Sequence, residues 1–159
     1  MKLCSKLIHE GKVIIMEDLR DIKQDADTKG IALLVEDNEI NAEIATMQIK
    51  ELGFEVEWVA NGARAVERFG ETPAGYYSLV IMDIMMPVMD GLEATRIIRR
   101  LDKDDAATVP IVAITANAFP EDKEASFENG VTAFITKHYS KRQLHEVINN
   151  LLGTGVAGN

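Results

Sequence analysis

Five times in this chain a short apolar run gives way to a stretch with helical spacing, and that alternation constrains the fold more than any other feature. The apolar runs are residues 31–35 (IALLV), 54–60 (FEVEWVA), about 79–82 (LVIM), 109–114 (VPIVAI) and 133–136 (AFIT). Runs 31–35 and 79–82 are continuous rather than alternating, as expected of strands buried on both faces. The stretches 38–52, 61–71, 91–101, 120–129 and 140–152 read as helices. In the first of them Ile40, Ile44, Met47 and Leu52 share a helical spacing, and Gly53 closes it. Asn61 and Ser140 are suited to helix caps, and Pro120 to a first helical turn. Pro87 and the pair Asp90-Gly91 mark a turn after the third run. Strands and helices in this order predict a doubly wound α/β fold: a five-stranded parallel sheet with five helices over its two faces.

In such a sheet a ligand binds beyond the carboxyl ends of the strands, where the strand order switches. The residues at those exits are therefore the candidates. The first run ends in Glu36 and Asp37, the third in Asp83, the fourth in Thr115 and the fifth in Lys137. The second leaves at Ala60 with nothing comparable. Each residue alone has an ordinary explanation in a loop or helix start. Together they would crowd carboxylates at one edge, which costs repulsion unless a cation offsets it. An all-oxygen site of this kind suits Mg²⁺ or Mn²⁺ rather than zinc. A carboxylate beside such an ion can attack phosphorus and form an aspartyl phosphate. A hydroxyl (Thr115) and an ammonium (Lys137) would stabilise the charge of the transferring group. Asp83, on the central strand, is the expected nucleophile, and Glu36 and Asp37 are the expected metal ligands.

Composition narrows the class. The chain has 159 residues, 47% of them hydrophobic and 27% charged, as expected of one ordinary globular domain. A net charge of -9 argues against nonspecific nucleic-acid binding, which needs basic surface. Cys4 is the only cysteine, which excludes an intrachain disulfide and suits a reducing, cytoplasmic setting. No apolar run approaches the roughly 20 residues of a membrane span. Residues 1–29 differ from the rest and read as a linker or stub, with Ile15, Leu19 and Ile22 spaced for one short amphipathic helix. The domain proper is expected over 30–152, and 153–159 as a flexible tail.

The segments LLVEDNEIN, VIMDIMMPVMDG, VAITANAF and AFITK, in this order and spacing, resemble the receiver domain of bacterial two-component response regulators. The resemblance covers about residues 31–152 and is strongest to receivers attached to hybrid sensor histidine kinases. It implies a flavodoxin-like sheet of strand order 2-1-3-4-5. It implies that Asp83 is a phosphoacceptor, taking phosphoryl from a phosphohistidine on a histidine kinase or a histidine phosphotransfer protein. Glu36 and Asp37 match the acidic pair that holds Mg²⁺ with Asp83, and the Met85 backbone carbonyl matches a further ligand. Thr115 and Lys137 match the switch hydroxyl and its lysine, and Phe134 the switch aromatic. Met85 and Asn117 match positions that set the dephosphorylation rate. Phosphorylation would then remodel the face formed by the fourth helix, fifth strand and fifth helix, and by analogy that face leaves a homodimer open. Self-catalysed phosphorylation and dephosphorylation would be the only catalysis.

One departure stands out. The family's proline after the lysine, with its cis bond, is here His138. A cis bond without proline costs about 2.5–4 kcal/mol, so either that cost is met or the loop rearranges to trans. His138 reads as an exposed loop residue or, alternatively, a pH-sensitive group near the site. His9 and His145 read as surface residues. Two other readings compete: a phosphate-ester hydrolase of the haloacid dehalogenase type, which would carry a second Asp where this chain has Met85, and a receiver degenerated to binding alone.

Overall fold

The computed structural model describes residues 28–116 and 119–152, together with the backbone of 7–9 and 12–14. The elements in chain order are β1 (Leu7–His9), β2 (Lys12–Ile14), β3 (Ile31–Val35), α1 (Glu39–Glu51), β4 (Glu55–Val59), α2 (Gly62–Glu71), β5 (Tyr77–Asp83), α3 (Gly91–Arg99), β6 (Ile111–Thr115), α4 (Pro120–Glu128), β7 (Ala133–Thr136) and α5 (Lys141–Leu152). Strands β1 and β2 pair antiparallel, Leu7 opposite Ile14 and His9 opposite Lys12. The other five form one parallel sheet in the order β4-β3-β5-β6-β7. Counted within that sheet this is 2-1-3-4-5, as expected. The helix expected through Ile15, Leu19 and Ile22, the 153–159 tail and Asn117 lie outside the described residues.

Period-two geometry sorts the core. Ala32 and Leu34 of β3, with Leu79 and Ile81 of β5 and Val112 and Ile114 of β6, face α1 and α5, where they meet Ile49, Leu144 and Ile148. Leu33, Val35, Val80, Met82 and Ile111 face the other way onto Ala65 and Phe69 of α2 and Ala94 and Ile98 of α3. Both layers of β3 and β5 are dry, which explains the continuous apolar runs. Asn38, Asn61 and Asp90 cap α1, α2 and α3, each accepting from a backbone N–H three residues on.

Four details refine or differ from the sequence reading. Strand β6 begins at Ile111 rather than 109, because Pro110 has no N–H; its carbonyl instead accepts from Val80 at 2.9 Å. Asp90-Gly91 is a helix cap and first turn rather than an open turn. Ile40, Ile44 and Met47 do not bury: they are 67%, 51% and 65% exposed, and α1 packs through Ala42, Ala45 and Ile49. His145 is half-buried, its Nε2 enclosed without a hydrogen-bond partner. Helix α4 is the least anchored, with Ser126 its one buried residue and Phe119 and Phe127 largely exposed.

Candidate metal centre

The chain leaves β3 toward β4 on one side and returns to β5 on the other, so the switch in strand order falls between β3 and β5. Glu36 and Asp37 follow β3 directly, and Asp83 is the last residue of β5. Carboxylate oxygens of Glu36, Asp37 and Asp83 all lie within 4.8 Å of one another. Asp83 is fully buried, Glu36 nearly so, and Asp37 faces solvent. This is the geometry of a site open on one side.

The loops after the strands hold the three in place. Asp83 Oδ1 accepts from the Met85 N–H at 3.2 Å. Its Oδ2 stands 3.2 Å from Lys137 Nζ as an ion pair, without a well-directed hydrogen bond. Gly91, the first residue of α3, packs so closely that a Cβ there would lie 2.2 Å from the Asp83 carbonyl oxygen. Glu36 Oε1 accepts from the Asn38 N–H at 3.1 Å. Burial pushes the Glu36 carboxyl up to about 7, and the nearby Asp83 carboxylate adds to the rise. Burial also raises Asp83, against the opposing pull of Lys137. Tyr139, half-buried beside Glu36, is raised by burial and by that carboxylate.

The remaining candidates fall around this cluster. Thr115 is the buried last residue of β6, one position beyond the Asp83–Ile114 pair in the ladder. Its carbonyl accepts from the Lys137 N–H at 2.6 Å. Lys137 follows β7 directly. Phe134 is half-buried on β7, with Lys123 Nζ of α4 5.6 Å from its ring centre. Met85 is 64% exposed at the rim. No cis peptide bond occurs among the described residues, and His138 turns the chain with φ of 69° while exposed to solvent. His is among the side chains that accept this left-handed region, so the loop forms without proline.

The exit of the second strand carries no comparable group, but a side chain within that strand reaches the acidic pair. Trp58 of β4 donates its indole N–H to the Glu36 carbonyl at 2.8 Å. Its one sequence signal was being a lone tryptophan near a strand exit, which does not reveal a bond to a backbone atom.

Three converging carboxylates, with a buried Asp83 oxygen that has only the Lys137 ion pair and no well-directed hydrogen bond, fit a hard divalent cation. The donor set is all oxygen, as Mg²⁺ prefers.

The family described as "Response regulator receiver domain" matches residues 32–149. The hybrid signal transduction histidine kinase I of Dictyostelium discoideum is 35% identical over 119 residues, which are 74% of this chain and 7% of that protein. The sensor histidine kinase GacS of Pseudomonas protegens is 36% identical over 126 residues, 79% of this chain and 13% of that protein. This chain therefore spans a small part of such relatives, which are not all bacterial. Among solved structures, the receiver domain of a sensor histidine kinase from Pseudomonas aeruginosa PAO1 matches with a TM-score of 0.69 and 33% identity, over 78% of this chain and 98% of that one. That structure is described as having magnesium coordinated in its active-site cleft.

Proposed function

This chain belongs to the response regulator receiver domain family, the signalling modules of two-component systems, and from that premise we propose that Asp83 is its phosphoacceptor. The observation that carries the assignment is the buried Asp83 carboxylate, with Glu36 and Asp37 oxygens within 4.8 Å and Lys137 Nζ at 3.2 Å. A carboxylate desolvated among like charges is poorly stabilised until positive charge arrives.

In this reading Glu36, Asp37, Asp83 and the Met85 carbonyl hold Mg²⁺, or Mn²⁺ in its place. The ion would offset the crowded carboxylates and draw charge from the phosphoryl oxygens. An Asp83 carboxylate oxygen bonds to phosphorus as the N–P bond of a phosphohistidine breaks, and the departing imidazole takes up a proton. Lys137 pairs with the new phosphoryl group, and the Thr115 hydroxyl donates to it. Phe134 follows Thr115, and the face of α4, β7 and α5 changes shape. The weak anchoring of α4 supports this, since movable elements have few buried contacts. Hydrolysis of the phosphoryl group would be self-catalysed, with Met85 and Asn117 setting its rate.

A histidine kinase or phosphotransfer protein is the proposed donor. Ile40, Ile44 and Met47 form an exposed apolar face on the helix that follows Glu36 and Asp37, which suits a protein donor. Among the described residues no helix is long and apolar enough to cross a membrane. A cytoplasmic setting, the absence of direct nucleic-acid contact and a homodimer through the α4 face belong to this proposal.

Intact mass after incubation with Mg²⁺ and acetyl phosphate tests the assignment, beside Asp83→Asn. One added phosphoryl group, absent from the variant and from a sample held in EDTA, is expected. An adduct that persists in the variant would move the acceptor elsewhere. No adduct on a protein that binds Mg²⁺ would leave a binding-only receiver.

A further inference from the structure

We infer that Trp58 is a positioning residue for the acidic pair: its indole N–H, bonded to the Glu36 carbonyl, fixes the peptide plane that aims Asp37 at the metal. This rests on the metal-binding reading above and goes beyond it.

Glu36 is held to β4 through both of its backbone groups. Its N–H donates to the Val59 carbonyl at 3.2 Å, the last bond of the β3–β4 ladder. Its carbonyl would then have no strand partner, because β3 ends at Val35. The Trp58 Nε1 takes that place at 2.8 Å, from 22 residues away in sequence. The side chain reaches it because Trp58 pairs with Leu34 in the ladder, next to the pair Val35–Val59. The Glu36 carboxylate is fixed as well, by the Asn38 N–H.

Asp37, the next residue, is exposed. The Glu36 carbonyl and the Asp37 N–H belong to one rigid peptide plane. Fixing the carbonyl therefore fixes where the Asp37 Cα sits and leaves fewer rotations to set the direction of its side chain. A ligand held in its productive direction before the ion arrives loses less freedom on binding. A tryptophan that served only to cover α1 would need no aligned donor. Trp58 is 42% exposed, so water could have satisfied its N–H.

The test uses the whole chain in two forms that lack the donor. Trp58→Phe keeps an aromatic ring. Benzothienylalanine at position 58 keeps the indole shape and replaces N–H by sulfur; Trp58 is the only tryptophan, so the replacement is unique. Mg²⁺ affinity is measured by calorimetry, and thermal stability in EDTA separately. Loss of one typical hydrogen bond is expected to weaken Mg²⁺ binding roughly fivefold in both forms. Tryptophan emission of the unaltered chain should also change on Mg²⁺ addition, saturating with the calorimetric affinity. Undiminished Mg²⁺ affinity in both forms overturns the inference. So does a loss confined to Trp58→Phe, which would assign the effect to ring volume. Absence of Mg²⁺ binding by the unaltered chain overturns the metal reading itself and this inference with it.

Discussion

Lowering the pH of the metal-free protein from about 8 to about 5 is expected to stabilise it, and Glu36 is expected to supply much of the effect. Its carboxyl is raised from 4.5 to about 7 in the folded chain. Between those values the folded state holds a proton that the unfolded state has released. Stability therefore falls as pH rises through this window, and the full penalty is present above about 7. The difference of about 2.5 units corresponds to at most about 3 kcal/mol, at about 1.4 kcal/mol per unit. Asp83 is raised as well and acts in the same direction.

Urea unfolding in EDTA, followed by circular dichroism across that pH range, measures the slope. Glu36→Gln removes the titrating group while keeping its shape. The net charge of -9 adds a background slope common to both proteins, so the difference between the two curves carries the result. That difference also contains the repulsion between the Glu36 and Asp83 carboxylates. In saturating Mg²⁺ the unaltered protein should lose its acid stabilisation, because coordination requires the ionised carboxylates. Parallel curves for the two proteins in EDTA would refute the reasoning: Glu36 would then not be held protonated by the fold.

Gly91→Ala places a methyl group 2.2 Å from the Asp83 carbonyl oxygen, against backbone that cannot yield; a loss of about 3 kcal/mol in urea unfolding is expected, with reduced phosphoryl uptake. Arg99 donates to the carbonyls of Gly130 and Ala106 and to the Thr132 hydroxyl, tying α3 to the turn between α4 and β7. Arg99→Lys cannot span all three, and a cost of about 1–3 kcal/mol is expected, read from the urea midpoint. Val88→Gly should raise stability by about 1 kcal/mol, since valine there has φ of 73°, yet weaken Mg²⁺ binding when titrated by calorimetry.

The parts of the fold that could be read from sequence were those where one physical demand dominates. Strands β3 and β5 are dry on both faces, so their runs are continuous. Glu36, Asp37, Asp83, Thr115 and Lys137 were legible because each directly ends or follows a strand. Which face of α1 meets the sheet was not legible, for a definite reason. Ile40, Ile44 and Met47 share a helical spacing, but so do Ala42, Ala45 and Ile49. Periodicity reveals a stripe and not which stripe meets the sheet. Small alanines let the helix approach β3 closely, and that geometry is tertiary. The bond from Trp58 to the Glu36 carbonyl was illegible for another reason: any residue at position 36 offers the same acceptor.

Backbone strain follows the site as well. Among the described residues, Val88 and His138 are the non-glycine positions with positive φ. One lies in the loop after Asp83 and the other directly follows Lys137. At Val88 the Met89 N–H donates to the Pro87 carbonyl at 2.9 Å, closing a tight three-residue turn of the rare strained kind. The turn is held from both ends, because the Ile84 N–H donates to the Ile114 carbonyl and the Ile84 carbonyl accepts from Gly91. Those bonds bring the start of α3 back against Asp83 within a few residues. Valine is a poor choice for such a turn if stability alone matters, and it is 85% exposed, so core packing does not explain it. A stiff, β-branched residue does restrict the loop that carries the Met85 carbonyl. Glycine would relieve the strain and loosen that loop together. Hence stability and Mg²⁺ affinity should move in opposite directions in Val88→Gly, as expected where strain serves a site rather than the fold.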